Sequence, residues 1–290
     1  MTGGGEALAL GQLEAGALPG QDGPEGVEEG KLGTSSLVGA TAASCGLGAG
    51  AGALLAWWAG RRSRWVATRA DRLLPRGPRL LWPAAAAGAG VAATVGICGT
   101  AGRLLTLETV APLNRAVHLY FLRLRNEGAT RAFLRVTKLA DKPVQVPALL
   151  VLGSAIALSR RRLLPGLLLL MAFRTEGRLQ LLLWRLVGGS RPPAAWSIGA
   201  PGANPSGGVA RAILVYGLMA YLAQGAWPTP RRGVLLGAAV GAITAVESLS
   251  RLYLGRHWVT DVAGGWLFGL LLLLSGVAVE GLSRWQRPQR

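Results

Sequence analysis

Long apolar runs separated by short arginine clusters dominate the chain. Residues 32–60 hold no charged side chain, residues 80–102 hold none, and further apolar runs occupy 143–159, 163–187, 210–226, 233–250 and 261–280. About 20 apolar residues suffice to cross a bilayer, so each of these runs predicts a transmembrane helix. The first span, near 37–59, is mostly Gly and Ala, which suits close helix packing more than strong partitioning. The pattern therefore predicts an all-α, polytopic membrane bundle of about seven helices, or six if 37–59 does not insert.

Between the spans the pattern changes. In 103–142, Leu113, Val117, Tyr120, Phe121 and Leu124 recur at helical spacing, with Arg115, Arg123 and Arg125 between them. After Gly128 the residues Ala129, Phe133, Val136 and Ala140 repeat it. Two short amphipathic helices lying on the membrane are expected, their basic faces open to solvent or to anionic head groups. The run 163–187 is unusual for a span because it carries Arg174, Glu176, Arg178 and Arg185. The three arginines share one face, and charges at such depth are expected to turn toward the bundle interior or an aqueous cavity, or to be interfacial with Glu176 paired to an arginine.

Charge orients this pattern. Basic clusters at 61–79, 160–162, 231–232 and 284–290 all fall on one side of a seven-span arrangement. The positive-inside rule makes that side the cytoplasm of a plasma membrane. Residues 103–142, 188–210 and 250–261 then share the extracytoplasmic side, with 103–142 as the one basic exception. The net charge of +17 in 290 residues is concentrated in these clusters, as expected for orientation and contact with membrane lipids, and no nucleic-acid-binding pattern is present. Cys45 and Cys98 lie inside apolar runs and read as small buried residues. Residues 1–35, Gly-rich with six acidic side chains and one lysine, predict a disordered tail. The expected organisation is a tail at 1–35, two spans plus interfacial helices at 36–142, a transmembrane core at 143–283 and a basic tail at 284–290.

The chemistry is concentrated in Ser250-Arg251-Leu252-Tyr253-Leu254-Gly255-Arg256-His257-Trp258-Val259-Thr260-Asp261, which holds one of only two histidines. The four-residue step from His257 to Asp261 predicts one face of a helical turn. A carboxylate beside an imidazole fixes its tautomer and leaves the other nitrogen for attack or proton transfer. Arginines nearby suit attack at phosphorus, where positioning and charge neutralisation dominate. Two further polar stretches fall on the same side, Arg191-Pro192 and Pro205-Ser206-Gly207. Backbone N–H groups and the serine hydroxyl of the latter suit a phosphate, and an ordinary turn equally.

With these three motifs, residues 140–282 resemble the type 2 phosphatidic acid phosphatase (lipid phosphate phosphatase, haloperoxidase-like) superfamily, whose pattern is Lys-x6-Arg-Pro, Pro-Ser-Gly-His and Ser-Arg-x5-His-x3-Asp. The third motif matches fully in Ser250, Arg251, His257 and Asp261. The resemblance implies that His257 is the nucleophile forming a phosphohistidine and that Asp261 orients it. It further implies that Arg191, Ser206, Gly207, Ser250 and Arg251 bind phosphate. It implies no metal and no cofactor, and a phosphorylated membrane lipid as substrate. Two positions depart from the pattern. Trp184 stands at the lysine position, with Arg185 and Arg178 as possible compensating cations. Gly208 stands where the family has the histidine that protonates the leaving group. His118, the other histidine, is a candidate to replace it. A leaving phosphate is far less basic than an alkoxide, its second pKa being roughly 6, so loss of the acid favours an isoprenoid diphosphate over phosphatidic acid. The alternatives are a catalytically impaired member of the family that binds a phospholipid or a protein, and a transporter.

Overall fold

The computed structural model describes residues 81–193, 202–226 and 229–286, all helix, turn and loop. The expected tail at 1–35, the first span near 37–59, the arginine cluster at 61–79 and residues 287–290 lie outside the described residues. Among the described residues the α-helices follow in order: α1 (Leu81–Leu105), α2 (Ala111–Arg123), α3 (Glu127–Val136), α4 (Lys142–Ser159), α5 (Leu164–Val187), α6, α7 (Pro230–Tyr253) and α8 (Val259–Trp285). The helix α6 is composite: Gly207–Arg211, a π-helical turn Ala212–Tyr216, then Gly217–Ala226.

Local chemistry sets the boundaries. Prolines occupy the first turns of α2, α4, α5 and α7, where a missing N–H costs nothing. Asn126 caps α3 through a bond from Ala129 N–H, and Thr229 caps α7 through one from Arg232 N–H. Gly188, at φ 74°, ends α5 in a backbone conformation that side chains disfavour.

Among the described residues, α1, α4, α6, α7 and α8 are long and apolar enough to cross a bilayer. Each coincides with an expected span. The helix α5 forms where the fourth span was expected but is not among those five helices, and its three arginines are exposed on the outer face, against the inward orientation and in keeping with the interfacial alternative. Its inward face carries Leu169, Phe173, Glu176, Gln180 and Leu183. Only Glu176 is a buried charge there, and it pairs with Arg211 of α6 at 3.5 Å. The arginines lie roughly half a helical turn from it, which follows from 100° per residue.

The centre of the bundle is α6. Leu218 and Leu222 pack with Leu149 and Ile156 of α4 and with Leu169 and Phe173 of α5. On the other side α6 meets α8 at close range. A Cβ on Gly265 would stand 2.6 Å from the Ser206 carbonyl oxygen, and one on Gly269 would stand 2.8 Å from that of Ala210. The two glycines, one turn apart, let the backbones of α6 and α8 touch, a membrane-helix contact made by dispersion and shape. At one end of the bundle Glu280 receives Arg160 at 2.9 Å and Arg284 at 2.8 Å, tying α4 to α8.

The amphipathic pair forms as α2 and α3, and it packs on the end of α7. Tyr253 is fully buried between Phe121, Leu124, Phe133 and Leu134. Its hydroxyl accepts from Asn126 N–H at 2.9 Å. Asn114 of α2 reaches Thr260 of α8, donating to its hydroxyl at 3.0 Å. The hairpin thereby sits over the connection between α7 and α8.

Candidate active site

Three chain segments converge beneath that hairpin. The first is the α7–α8 connection. Helix α7 runs to Tyr253, three residues beyond the expected end of the sixth span, so Ser250 and Arg251 lie on its last turn. Gly255 at φ 65° reverses the chain, and the Arg256 and His257 N–H groups both point to the Arg251 carbonyl. Helix α8 begins only at Val259, so His257 precedes it and shares no helix with Asp261, against the expected common helical face. The pair meets all the same. Asp261 sits in the first turn and its Oδ2 accepts the Trp258 N–H at 3.0 Å, which aims the carboxylate back toward His257. His257 Nδ1 lies 3.4 Å from that oxygen.

The second segment is the end of α5. Arg191 donates to the Arg256 carbonyl at 2.6 Å and to the Gly202 carbonyl at 2.9 Å. The same Nη1 stands 3.5 Å from His257 Nε2. A guanidinium offers only donors, so Nε2 is the acceptor and the imidazole proton belongs on Nδ1, facing Asp261. Trp258 Nε1 donates to the Ser190 carbonyl at 2.8 Å and fastens this segment to the first.

The third segment is the start of α6. Ser206 N–H donates to the Asp261 carbonyl at 2.9 Å, so this amide is committed to the α6–α8 contact. Its hydroxyl is buried with no protein partner. Gly207 opens the helix, where first-turn N–H groups lack intrahelical acceptors. A Cβ on Gly207 would overlap the Gln180 amide, so a larger residue here would displace the end of that side chain.

Arg251 joins the segments electrostatically. It pairs through Nε with Glu247 one turn earlier on α7, and its Nη2 lies 3.6 Å from Asp141. Ser250 is spent locally: its hydroxyl donates to the Glu247 carbonyl at 2.7 Å and lies 3.3 Å from the Glu247 carboxylate. Three buried donors here, Arg191 Nε, Arg251 Nη2 and Ser206 Oγ, have no hydrogen-bond partner. Buried polar groups are nearly always hydrogen-bonded, and donors left without such a partner, of which Arg251 Nη2 keeps only its longer ion pair with Asp141, suit an anionic ligand.

Burial sets the protonation of the site. Desolvation is the largest influence on His257 and, with Arg191 and Arg251, outweighs Asp261, pushing the imidazole down to about 4 from 6.5. At neutral pH the ring is neutral with its Nε2 lone pair available. His118 is also buried; its ring lies edge-on to Trp258 at 5.5 Å between centroids. Burial and Arg125 push it below its usual value.

The remaining expected residues separate. Arg178 and Arg185 are exposed on the outer face of α5, and the structure does not bring them to the cluster. Trp184 points inward instead, donating from Nε1 to the Pro205 carbonyl at 3.0 Å. Glu247 and Asp141, which contact Arg251, were not expected. Glu247 has a sequence signal, the four-residue step to Arg251 on a helix. Asp141 has none, because its approach is tertiary.

A helical membrane core that gathers a histidine–aspartate pair and two arginines at one end defines the class: this is an integral-membrane, multi-pass helical protein. Residues 165–285 match the PAP2 superfamily. The chain is 28% identical over 167 residues to a Bacillus subtilis protein named phosphatidylglycerophosphatase B, covering 57% of this chain and 82% of the relative. Its fold is shared with the crystal structure of a transmembrane PAP2-type phosphatidylglycerolphosphate phosphatase from Bacillus subtilis. That likeness has a TM-score of 0.62 at 24% identity and spans 69% of this chain and 98% of the other.

Proposed function

We propose that the protein is a membrane lipid phosphatase that removes the terminal phosphate of a glycerolipid phosphate monoester, through a phosphohistidine on His257. The observation that carries this reading is the orientation of His257, with Nδ1 toward Asp261 and Nε2 toward Arg191. A phosphate held by the free donors of Arg191, Arg251 and Ser206 would present phosphorus to the Nε2 lone pair. Attack forms the P–N bond and breaks the P–O bond to the lipid. The positive charge that develops on the ring falls on the Nδ1–H side, against Asp261. Water then attacks phosphorus in line, the P–N bond breaks, and inorganic phosphate leaves.

The choice of a glycerolipid follows the relative named phosphatidylglycerophosphatase B. Gly208 supports a second reading, an isoprenoid diphosphate, whose leaving phosphate needs no proton donor. The arginines at 160–162 and 231–232 and Arg284 cluster at the bundle end away from His257, which supports a cytoplasmic-membrane protein with its site on the extracytoplasmic face.

Phosphate release by detergent-purified protein tests the proposal, with phosphatidylglycerophosphate and a polyprenyl diphosphate as substrates, EDTA present and His257→Ala as control. Release from the glycerolipid that disappears in the variant supports the reading. Release from the diphosphate alone supports the second. Release unaffected by the substitution refutes both.

A further inference from the structure

Gly208 leaves the resemblance without a proton donor, and the structure shows what occupies that place. A Cβ on Gly208 would stand 2.4 Å from Arg251 Nη2 and 2.4 Å from Glu247 Oε1. A side chain at 208 would therefore project into room already filled by the Glu247–Arg251 pair. Glu247 reaches it from α7. It is 1% exposed, its Oε1 accepts from Arg251 Nε, and its Oε2 lies 3.3 Å from the Ser250 hydroxyl. A carboxyl group buried to this degree inside a helical bundle is costly, and an ionisable residue at such depth is by default a candidate functional group. His118 is placed differently: its neighbours are Trp258 and Gly255, not Gly208.

We infer that Glu247 is the proton donor to the leaving oxygen, standing in for the side chain that Gly208 lacks. The inference rests on the phosphatase reading above and deepens it, because a carboxylic acid at this place admits alkoxide leaving groups. In the first step His257 Nε2 bonds phosphorus, the P–O bond to the lipid breaks, and the Glu247 carboxyl proton passes to that oxygen to give the lipid alcohol. In the second step water bonds phosphorus as the P–N bond breaks, and the proton from water returns to the Glu247 carboxylate. The cycle closes with no co-reactant but water. A phosphate monoester monoanion carries the proton that first loads the carboxylate as the phosphate draws Arg251 toward itself. The absence of a side chain at 208 leaves the ends of Glu247 and Arg251 the positions they occupy, which a larger residue would displace.

The rival role for Glu247 is to hold Arg251 in position. The two roles separate by leaving group. A lipid phosphate expels an alkoxide that needs a proton, whereas p-nitrophenyl phosphate expels a weakly basic phenolate. Wild type, Glu247→Gln and Glu247→Asp are compared on both substrates in detergent, with thermal unfolding to verify folding. General acid catalysis contributes about 10²–10⁴-fold. As donor, Glu247→Gln lowers kcat/KM on the lipid phosphate by at least about tenfold more than on the aryl phosphate, with Glu247→Asp intermediate. Equal losses on both substrates, or none on either, overturn the inference and leave the phosphatase reading standing. If Glu247→Gln does not fold, Glu247→Asp and the double variant Gly208→His with Glu247→Ala carry the comparison. Recovery on the lipid phosphate in the double variant supports a proton donor at this place, and its failure beside an intact aryl activity overturns it. A wild type that is inactive on both substrates refutes the phosphatase reading itself.

Discussion

The protonation of His257 can be read directly, because the chain has only two histidines. Burial, reinforced by Arg191 and Arg251, holds its imidazole at about 4 instead of 6.5. The difference is about 2.5 pH units, which corresponds to about 3 kcal/mol between protonation states. The sign follows from linkage. Between pH 6.5 and 4 the unfolded chain binds a proton at this site and the folded chain does not, so stability is full above 6.5 and falls as pH drops toward 4. Histidine-selective isotope labelling in detergent, with His118→Gln removing the second signal, gives the midpoint by NMR. A midpoint near 4 is expected, and Asp261→Asn lowers it while Arg191→Gln raises it, because the carboxylate favours the charged ring and the guanidinium opposes it. Thermal unfolding across the same range should lose stability in wild type and not in His257→Gln. A midpoint at or above 6.5, or a shift of opposite sign in either variant, refutes the desolvated, neutral imidazole.

Gly265→Ala places a methyl 2.6 Å from the Ser206 carbonyl, a backbone atom that cannot rotate away. The helices α6 and α8 must separate at a cost of about 1–3 kcal/mol, read as a lower unfolding temperature together with lost activity, since Ser206 N–H is tied to Asp261. Trp184→Lys, which restores the family residue, is expected to lower activity, because it removes the indole bond to the Pro205 carbonyl. Phosphate-release assays check this, and a gain of activity would show that a lysine is the missing cation.

What the sequence revealed and what it hid have physical causes. The spans at α1, α4, α6, α7 and α8 were legible because apolar runs of bilayer length with at most two charges have one ready explanation, a helix that crosses the hydrocarbon core. The histidine–aspartate pair was legible from spacing, though for the wrong local reason: a cap carboxylate turning back reaches the same imidazole that a shared helical face would have presented. Arg178 and Arg185 were offered as substitutes by proximity in sequence to Trp184. On a helix the adjacent position points 100° away, and both face outward. Glu247 lay in plain view at the end of a span, but its importance depends on Gly208, which is 39 residues earlier in the chain and reaches it only through tertiary packing. The bond between Asn114 and Thr260, 146 residues apart, was hidden for the same reason.

Arg191 ties together stretches of chain that are far apart in sequence. Its guanidinium donates to the carbonyls of Gly202 and Arg256 and stands 3.5 Å from His257 Nε2. One side chain thus acts as a common anchor for the segment after α5, the segment before α6 and the connection between α7 and α8. A shift of any of the three is transmitted to the imidazole, so the registry of separate helices is fixed at the place where His257 stands.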